Sequence, residues 1–125
     1  MTPKQAENAW LWFATAMGIE DWVPKLAILL QDEPPESMSE YQNDGTLGAA
    51  GTARTYKDAD IWLSPARHKE QGEDMLATLF HEGMHVVAAD ISIETKEQWA
   101  TPAMEFTWNR LGDLMAKAYR AKVKP

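Results

Sequence analysis

The sequence predicts an α+β fold with an N-terminal helix, a small mixed sheet of about three strands and two C-terminal helices. Its 125 residues fit a single domain spanning 1–125, because single domains usually hold about 100 to 200 residues. Apolar residues recur at helical spacing near both ends of the chain, whereas short apolar runs between turn-forming residues occupy the middle. With 45% apolar and 25% charged residues, the composition is that of a globular protein and excludes a disordered chain.

The first helix carries signals at both of its ends. Thr2 and Gln5 form the pattern of a capping box, and Pro3 suits the first helical position. Gly18 is the predicted end, because glycine readily adopts the left-handed conformation that closes many helices. Apolar residues recur between these signals at helical spacing.

The middle of the chain predicts the three strands. Residues 22–31 form a nearly continuous apolar run, typical of a strand that is buried on both faces, with Pro24 near its beginning. Residues 46–56 predict a thin strand with small side chains, and residues 59–64 predict a further apolar strand. Residues 32–45 hold two prolines and five acidic residues and predict a loop, which is either a solvated connection or a flap over a site.

Two helices are predicted to complete the fold. The first covers about residues 72–89 and follows an acidic stretch, which suits the positive end of the helix dipole. The second covers about residues 95–121, with Thr95 or Thr101 as its cap and Pro102 in a first turn or at a kink. Basic residues near its C-terminal end complement the dipole.

Charge and composition argue against several classes of function. The net charge of −7 and the pI of 4.9 argue against nucleic acid as a partner, because phosphate binding needs a face rich in Lys and Arg. No apolar run approaches the roughly 18 residues that span a bilayer, so no membrane association is expected. The chain has no cysteine, which excludes disulfides, thiolate zinc ligands and a cysteine nucleophile. The first residues lack the pattern of a secretory signal, which predicts a cytoplasmic location.

The segment with the most chemical information is LFHEGMHVVAAD, residues 79–90. It contains His81, Glu82 and His85 in the order H-E-x-x-H within a predicted helix. Positions i and i+4 share one helix face, so both imidazoles can reach one Zn²⁺ ion at about 2.0–2.1 Å. Glu82 lies beside this pair, where its carboxylate can take a proton from metal-bound water. The alternative is two ordinary structural histidines, but the apolar and helical context favours a metal site.

This pattern resembles the zincin metallopeptidases, and specifically the gluzincin branch. In its thermolysin-like members the third zinc ligand is a glutamate on the next helix, 20 residues after the second motif histidine, and Glu105 occupies that position here. The resemblance implies a minimal zincin-like fold, in the single-domain form of short phage and mobile-element peptidases. It also implies Zn²⁺ as the cofactor, bound by His81, His85, Glu105 and a water molecule.

The third ligand is open to competition, because the chain has 19 acidic residues. Asp90, Glu94 and Glu97 also follow the motif and offer carboxylates. Glu105 is favoured over them because it lies within a predicted helix, whose rigid backbone can hold a ligand. Glu97 is the second choice. Gly112, two helical turns beyond Glu105, predicts a place where this helix packs closely on its neighbour.

Further residues are candidates for supporting roles. Members of the family often carry an acid four residues after the glutamate ligand, and Asn109 holds that position here, where its side-chain oxygen can still accept a hydrogen bond from an imidazole. His68 and Tyr56 are candidate stabilisers of a transition-state oxyanion, and the alternative for His68 is a surface loop residue. Residues 48–56 are the candidate edge for binding an extended substrate backbone, with strand 59–64 as the alternative edge.

The sequence therefore predicts a zinc-dependent peptidase that acts on a peptide or protein substrate, with Glu82 as the general base. The alternative is a non-catalytic phage or mobile-element domain, structural or regulatory, that keeps a zinc site for stability. A purely structural site has no use for Glu82, and such sites favour four protein ligands. A third possibility is an amidase or another hydrolase, because zinc-bound hydroxide attacks many carbonyls.

Two features depart from the family pattern. Gly83 and Met84 stand in the middle of the motif, where a bulky residue followed by a small one is usual. The large C-terminal lobe of thermolysin is absent, so the resemblance implies no substrate class.

Overall fold

Within the residues that the structure describes, three strands and four α-helices confirm the predicted α+β class, but the short helix Pro65–Gln71 was not predicted. A computed structural model describes residues 1–91 and 101–123. The elements are α1 (Pro3–Met17), β1 (Leu26–Leu30), β2 (Gly48–Ala53), β3 (Asp58–Leu63), α2 (Pro65–Gln71), α3 (Met75–Asp90) and α4 (Pro102–Val123), with short 3₁₀ helices at Glu20–Lys25, Glu36–Tyr41 and Arg54–Tyr56. The mixed sheet has the order β1-β3-β2, with β1 parallel and β2 antiparallel to β3. Within the residues described, no helix combines the length and apolarity needed to cross a membrane.

Helix α1 forms as its local signals predict. The Thr2 hydroxyl accepts a hydrogen bond from the backbone N–H of Gln5 at 3.1 Å, and the Gln5 side chain accepts one from the backbone N–H of Thr2 at 2.8 Å. Gly18 ends the helix with φ of 73°, a conformation that other residues rarely adopt. The capping box and the glycine stop are therefore confirmed.

A crossing of α1 and α3 builds the main core, and Gly83 makes it possible. Phe13 of α1 stacks on Phe80 of α3 with ring centroids 5.3 Å apart. A Cβ atom at position 83 would lie 2.6 Å from a Phe13 ring carbon and 3.0 Å from a Trp10 ring carbon. The unusual glycine within the H-E-x-x-H motif is thus explained by the aromatic side chains of α1 that pack on it.

The first strand is shorter and less buried than the apolar run predicts. Residues 22–25 belong to a 3₁₀ helix, and β1 begins only at Leu26. Pro24 has no backbone N–H for a sheet hydrogen bond, and the fully buried Trp22 donates its indole N–H to Asp90 at 2.9 Å instead. Because β1 is at an edge of the sheet, its residues are partly exposed rather than buried on both faces.

The other two strands also differ in extent from the predictions. Strand β2 covers only Gly48–Ala53, because the chain turns through a 3₁₀ helix into Lys57, which has φ of 52°. Strand β3 lies in the centre of the sheet and pairs with both neighbours. The alternative prediction of strand 59–64 as a substrate-binding edge is therefore wrong, whereas β2 is an edge strand. The predicted loop 32–45 contains the 3₁₀ helix Glu36–Tyr41.

Side-chain caps define where the last two helices begin. Helix α3 begins at Met75 rather than near residue 72, because α2 ends at Gly72 with φ of 67° and Asp74 caps α3 by accepting from the backbone N–H of Leu76 at 3.0 Å. The Asp74 carboxylate also accepts two hydrogen bonds from Arg120 of α4, at 2.5 and 2.7 Å. Thr101 accepts from the backbone of the first turn of α4, and the other predicted cap, Thr95, lies outside the described residues.

Helix α4 packs closely on α3 at Gly112. A Cβ atom at this position would lie 2.6 Å from the carbonyl oxygen of Ala77 and 3.1 Å from the backbone nitrogen of His81. Both neighbours are backbone atoms, which cannot move without moving α3. The predicted close-packing role of Gly112 is therefore confirmed, and it fixes the face that α4 turns toward the motif helix.

Candidate metal centre

His81, His85 and Glu105 come together where α3 and α4 face one another. The Nε2 atom of His81 lies 3.0 Å from Oε2 of Glu105, and the Nε2 atom of His85 lies 3.0 Å from Oε1 of the same carboxylate. One ligand atom from each residue lies within 4.8 Å of the other two. The i, i+4 spacing on α3 places the two imidazoles side by side, with ring centroids 5.1 Å apart.

This donor set matches the chemistry of a catalytic zinc site. Ligand atoms at zinc bond lengths with tetrahedral angles lie about 3.3 Å from one another, close to the two 3.0 Å separations between imidazole and carboxylate. Two imidazoles and one carboxylate are a known ligand combination for catalytic zinc, and three protein ligands leave a position for water. The geometry thus fits a metal ion, and the identity of the ion as zinc stays a prediction.

The protonation of His81 also suits a metal ligand. Burial lowers the pKa of His81, and the neighbouring His85 lowers it further, while Glu105 and a hydrogen bond with Asn109 act in the opposite direction. The net direction favours the neutral imidazole at neutral pH, which is the form that binds metals. Asn109 lies one turn after Glu105 on α4 and lines the same cleft, and its role as an acceptor that orients a motif histidine stays a prediction.

Glu82 is buried next to the histidines. Its side chain is only 6% exposed, and one carboxylate oxygen lies 3.9 Å from Nε2 of His85. It is not one of the three groups whose ligand atoms converge. The structure therefore places Glu82 beside the candidate metal position, where a general base is needed, and its catalytic role stays a prediction.

A cleft of about 1400 Å³ opens over these residues, bordered by β2, the 3₁₀ helix Glu36–Tyr41 and helices α3 and α4. Tyr41 lies in the wall of this cleft and was not among the candidates from the sequence. Partial burial raises the pKa of the Tyr41 phenol, and the carboxylates of Glu40, Glu82 and, less strongly, Glu105 raise it too. The phenol is therefore protonated at neutral pH and able to donate a hydrogen bond.

The two candidate stabilisers from the sequence have different surroundings. Tyr56 also lines the cleft, but it lies on the 3₁₀ helix after β2 and is 68% exposed. His68 lies on α2 and is only 2% exposed, so the alternative prediction of a surface loop residue is wrong. Its Nδ1 donates to the carbonyl of Ser64 at 2.6 Å, and its Nε2 forms a hydrogen bond with the Thr78 hydroxyl at 2.8 Å. Because both ring nitrogens already have partners, neither is directed to a substrate in the cleft.

The competing carboxylates do not approach the histidines where the structure describes them. Asp90 accepts from Trp22 at 2.9 Å and from Lys57 at 2.6 Å. Glu94 and Glu97 lie outside the described residues. Glu105 is therefore the acid that the structure places against both motif histidines.

Comparisons of the chain with known protein families, with curated proteins and with solved structures found no match.

Proposed function

We propose that this protein is a zinc-dependent peptidase that hydrolyses peptide bonds in a peptide or protein substrate. The observation that carries the proposal is the convergence of His81, His85 and Glu105 within 4.8 Å, with the buried carboxylate of Glu82 beside them. A three-ligand set with an adjacent general base is the arrangement that catalysis needs, whereas a structural zinc site needs four ligands and no base.

The three ligands would hold the metal, and the other groups of the cleft would handle the substrate and the proton. Zinc bound here would polarise the scissile carbonyl and lower the pKa of water to about 7. Glu82 would take the proton of the attacking water and pass it to the departing amine. Burial keeps competing water away from the Glu82 carboxylate and strengthens its electrostatic interaction with the reacting groups.

Tyr41 is the best placed donor for the charge that develops on the carbonyl oxygen. Its side chain lines the cleft and its pKa is raised, so the phenol stays protonated at neutral pH and above. A neutral donor directed to the developing oxyanion stabilises the transition state more than the ground state. In this role it replaces His68, whose nitrogens are occupied, and it is less exposed than Tyr56.

Strand β2 offers a surface for the substrate backbone. It is an edge strand that borders the cleft, and edge strands present unpaired N–H and C=O groups to an added strand. Its sequence, GAAGTA, carries only small side chains, so a peptide can approach the backbone closely. This placement supports a substrate bound in extended form beside the motif helix.

The decisive experiment compares the wild type with Glu82→Gln in zinc content and in turnover of a broad library of fluorogenic peptides. We expect about one zinc per chain in both proteins, and a loss of about 10²–10⁴-fold in kcat for the variant. Glu73→Gln is the matched control, because it removes another carboxylate that lines the cleft without touching the proposed machinery.

Three outcomes would contradict the proposal in different ways. Equal turnover by the wild type and Glu82→Gln would remove Glu82 as the base. Zinc binding without peptide turnover by the wild type would favour the non-catalytic alternative, and turnover of non-peptide amides alone would favour another hydrolase. Absence of metal after purification without chelator, with no uptake on titration, would contradict the metal centre itself.

A further inference from the structure

The side chain of Arg67 on α2 is almost completely buried, and its hydrogen bonds go to the backbone of one segment. The guanidinium donates to the carbonyl oxygen of Tyr41 at 2.8 Å, to that of Gln42 at 2.5 Å and to that of Thr46 at 2.8 Å. Only 9% of the residue is exposed. We call residues 41–46, which these bonds hold, the clamped segment.

The charge of Arg67 is compensated mainly by these carbonyl groups. The nearest carboxylates, of Glu33 and Asp44, lie at 3.7 and 3.8 Å and are themselves largely exposed to solvent. On the other side, the guanidinium lies over the Trp62 ring, 5.3 Å from its centroid. A planar group with several fixed donors can bind three carbonyls at once, which a lysine ammonium at the same place cannot do in the same geometry.

Two weaker contacts support the same segment. The Gln71 side chain, also on α2, donates to the carbonyl of Gly45 at 2.8 Å, and the Asp44 carboxylate accepts from the backbone N–H of Thr46 at 2.9 Å. The clamped segment is therefore held chiefly by α2, which contributes none of the three converging metal ligands. At its first residue it presents Tyr41 to the cleft.

We infer that Arg67 is a positioning residue, which fixes the backbone at Tyr41 so that the phenol faces the metal centre. The inference rests on the proposed function, because it assigns Arg67 a role through the oxyanion donor proposed for Tyr41. The metal ligands lie on α3 and α4, so loss of the clamp alters the position of Tyr41 and leaves the binding of zinc unchanged.

A double-mutant cycle with Arg67→Lys and Tyr41→Phe tests this coupling in the full chain. We expect Tyr41→Phe to lower kcat about 10²-fold, as the loss of one oxyanion donor does, with little change in KM and in zinc affinity. Arg67→Lys lowers kcat to a similar extent if it acts through Tyr41. The kcat of the double variant is then no lower than that of Tyr41→Phe alone, because the hydroxyl that Arg67 positions is already absent.

The outcomes that overturn the inference are distinct from those that overturn the peptidase proposal. If the losses in kcat multiplied in the double variant, Arg67 would not act through Tyr41. If Tyr41→Phe kept the wild-type kcat, the Tyr41 hydroxyl would have no catalytic role for Arg67 to support. If Arg67→Lys lost the fold altogether, Arg67 would belong to stability rather than to positioning, and the inference would fail.

A measurement without turnover separates the two proposals. The protein is labelled with 3-fluorotyrosine and loaded with Co²⁺, whose paramagnetism shifts nearby fluorine signals, and the Tyr41 signal is identified by its loss in Tyr41→Phe. We expect a cobalt-induced shift for Tyr41 in the wild type that becomes much smaller in Arg67→Lys. Tyr119, which packs on the aromatic core beside Trp12, is the internal control and keeps its signal unchanged between the two proteins. An equal Tyr41 shift in both proteins would contradict the inference even if the peptidase activity were established.

Discussion

Replacing Gly112 with alanine tests whether the close approach of α4 to α3 sets the position of Glu105. The added Cβ would lie 2.6 Å from the carbonyl oxygen of Ala77, and ordinary contact begins at 3.4 Å. Relief of this contact therefore moves the two helices apart by about 0.8 Å at this point. The nearby nitrogen of His81, at 3.1 Å, prevents relief by a small sideways shift.

Two opposing effects determine the stability of this variant. Alanine is favoured over glycine in a helix interior by about 1 kcal/mol. Overpacking against atoms that cannot yield costs about 1–3 kcal/mol, and the upper half of this range applies because both contacts are with backbone. We therefore expect the free energy of unfolding of the metal-free protein to fall by about 1–2 kcal/mol, as measured by urea denaturation.

The same displacement reaches the metal centre, because Glu105 lies two turns from Gly112 on the same face of α4. Metal–ligand distances tolerate only about 0.2 Å of deviation, so we expect zinc affinity to fall by about 10–100-fold, the range found when ligand positioning is disturbed. A competition titration with a chromophoric chelator measures this loss. Lys117→Ala, an exposed change on α4, is the control and leaves both quantities near the wild-type values. Increased stability together with unchanged zinc affinity in Gly112→Ala would refute the reasoning.

Three further predictions concern the ligand helix, the cap of α3 and the buried histidine. Glu105→Ala weakens zinc binding sharply in the same titration, while Glu97→Ala leaves it nearly unchanged, and the opposite pattern would identify Glu97 as the ligand. Hydrogen bonding from Arg120 holds the pKa of Asp74 below its ordinary value, so Asp74 stabilises the fold above about pH 4 and this contribution disappears as the pH falls through the lowered pKa. Asp74→Ala should therefore cost about 1 kcal/mol at pH 7 and progressively less as the pH falls through the lowered pKa, and a pH-independent loss in urea denaturation would count against this. His68→Ala lowers stability by about 2 kcal/mol without changing zinc affinity or kcat, whereas a selective loss of kcat would restore His68 as a catalytic group.

The features that the sequence predicted correctly depend on neighbours within a few residues. The capping box of α1 involves positions three apart, and the motif histidines share a face because they are four apart. The approach of Glu105 to both of them is a longer-range event. It was predicted from the family resemblance, which implies a glutamate ligand 20 residues after the second motif histidine, and from the position of Glu105 within a rigid helix.

The errors arise where a distant side chain decides the local structure. Residues 22–25 form a 3₁₀ helix that contains Pro24, and Trp22 within it is held by Asp90, 68 positions later, a partner that no local pattern indicates. Tyr41 was missed for the same reason. Its segment looks like an acidic, proline-containing loop, and its position in the wall of the cleft depends chiefly on bonds from Arg67, 21 to 26 positions further along the chain. The position of Arg67 just after a strand gives no indication of this role.

The three converging ligands all lie on α3 and α4, whereas the opposite wall of the cleft is made by β2 and the clamped segment. Because different elements form the two walls of the cleft, each wall can be changed by substitution without changing the residues of the other. If the proposed function holds, substitutions along GAAGTA or within residues 41–46 would change the peptides that enter, while the three converging side chains on α3 and α4 stay as they are. Variation and selection, whether natural or in the laboratory, can therefore alter specificity and chemistry one at a time.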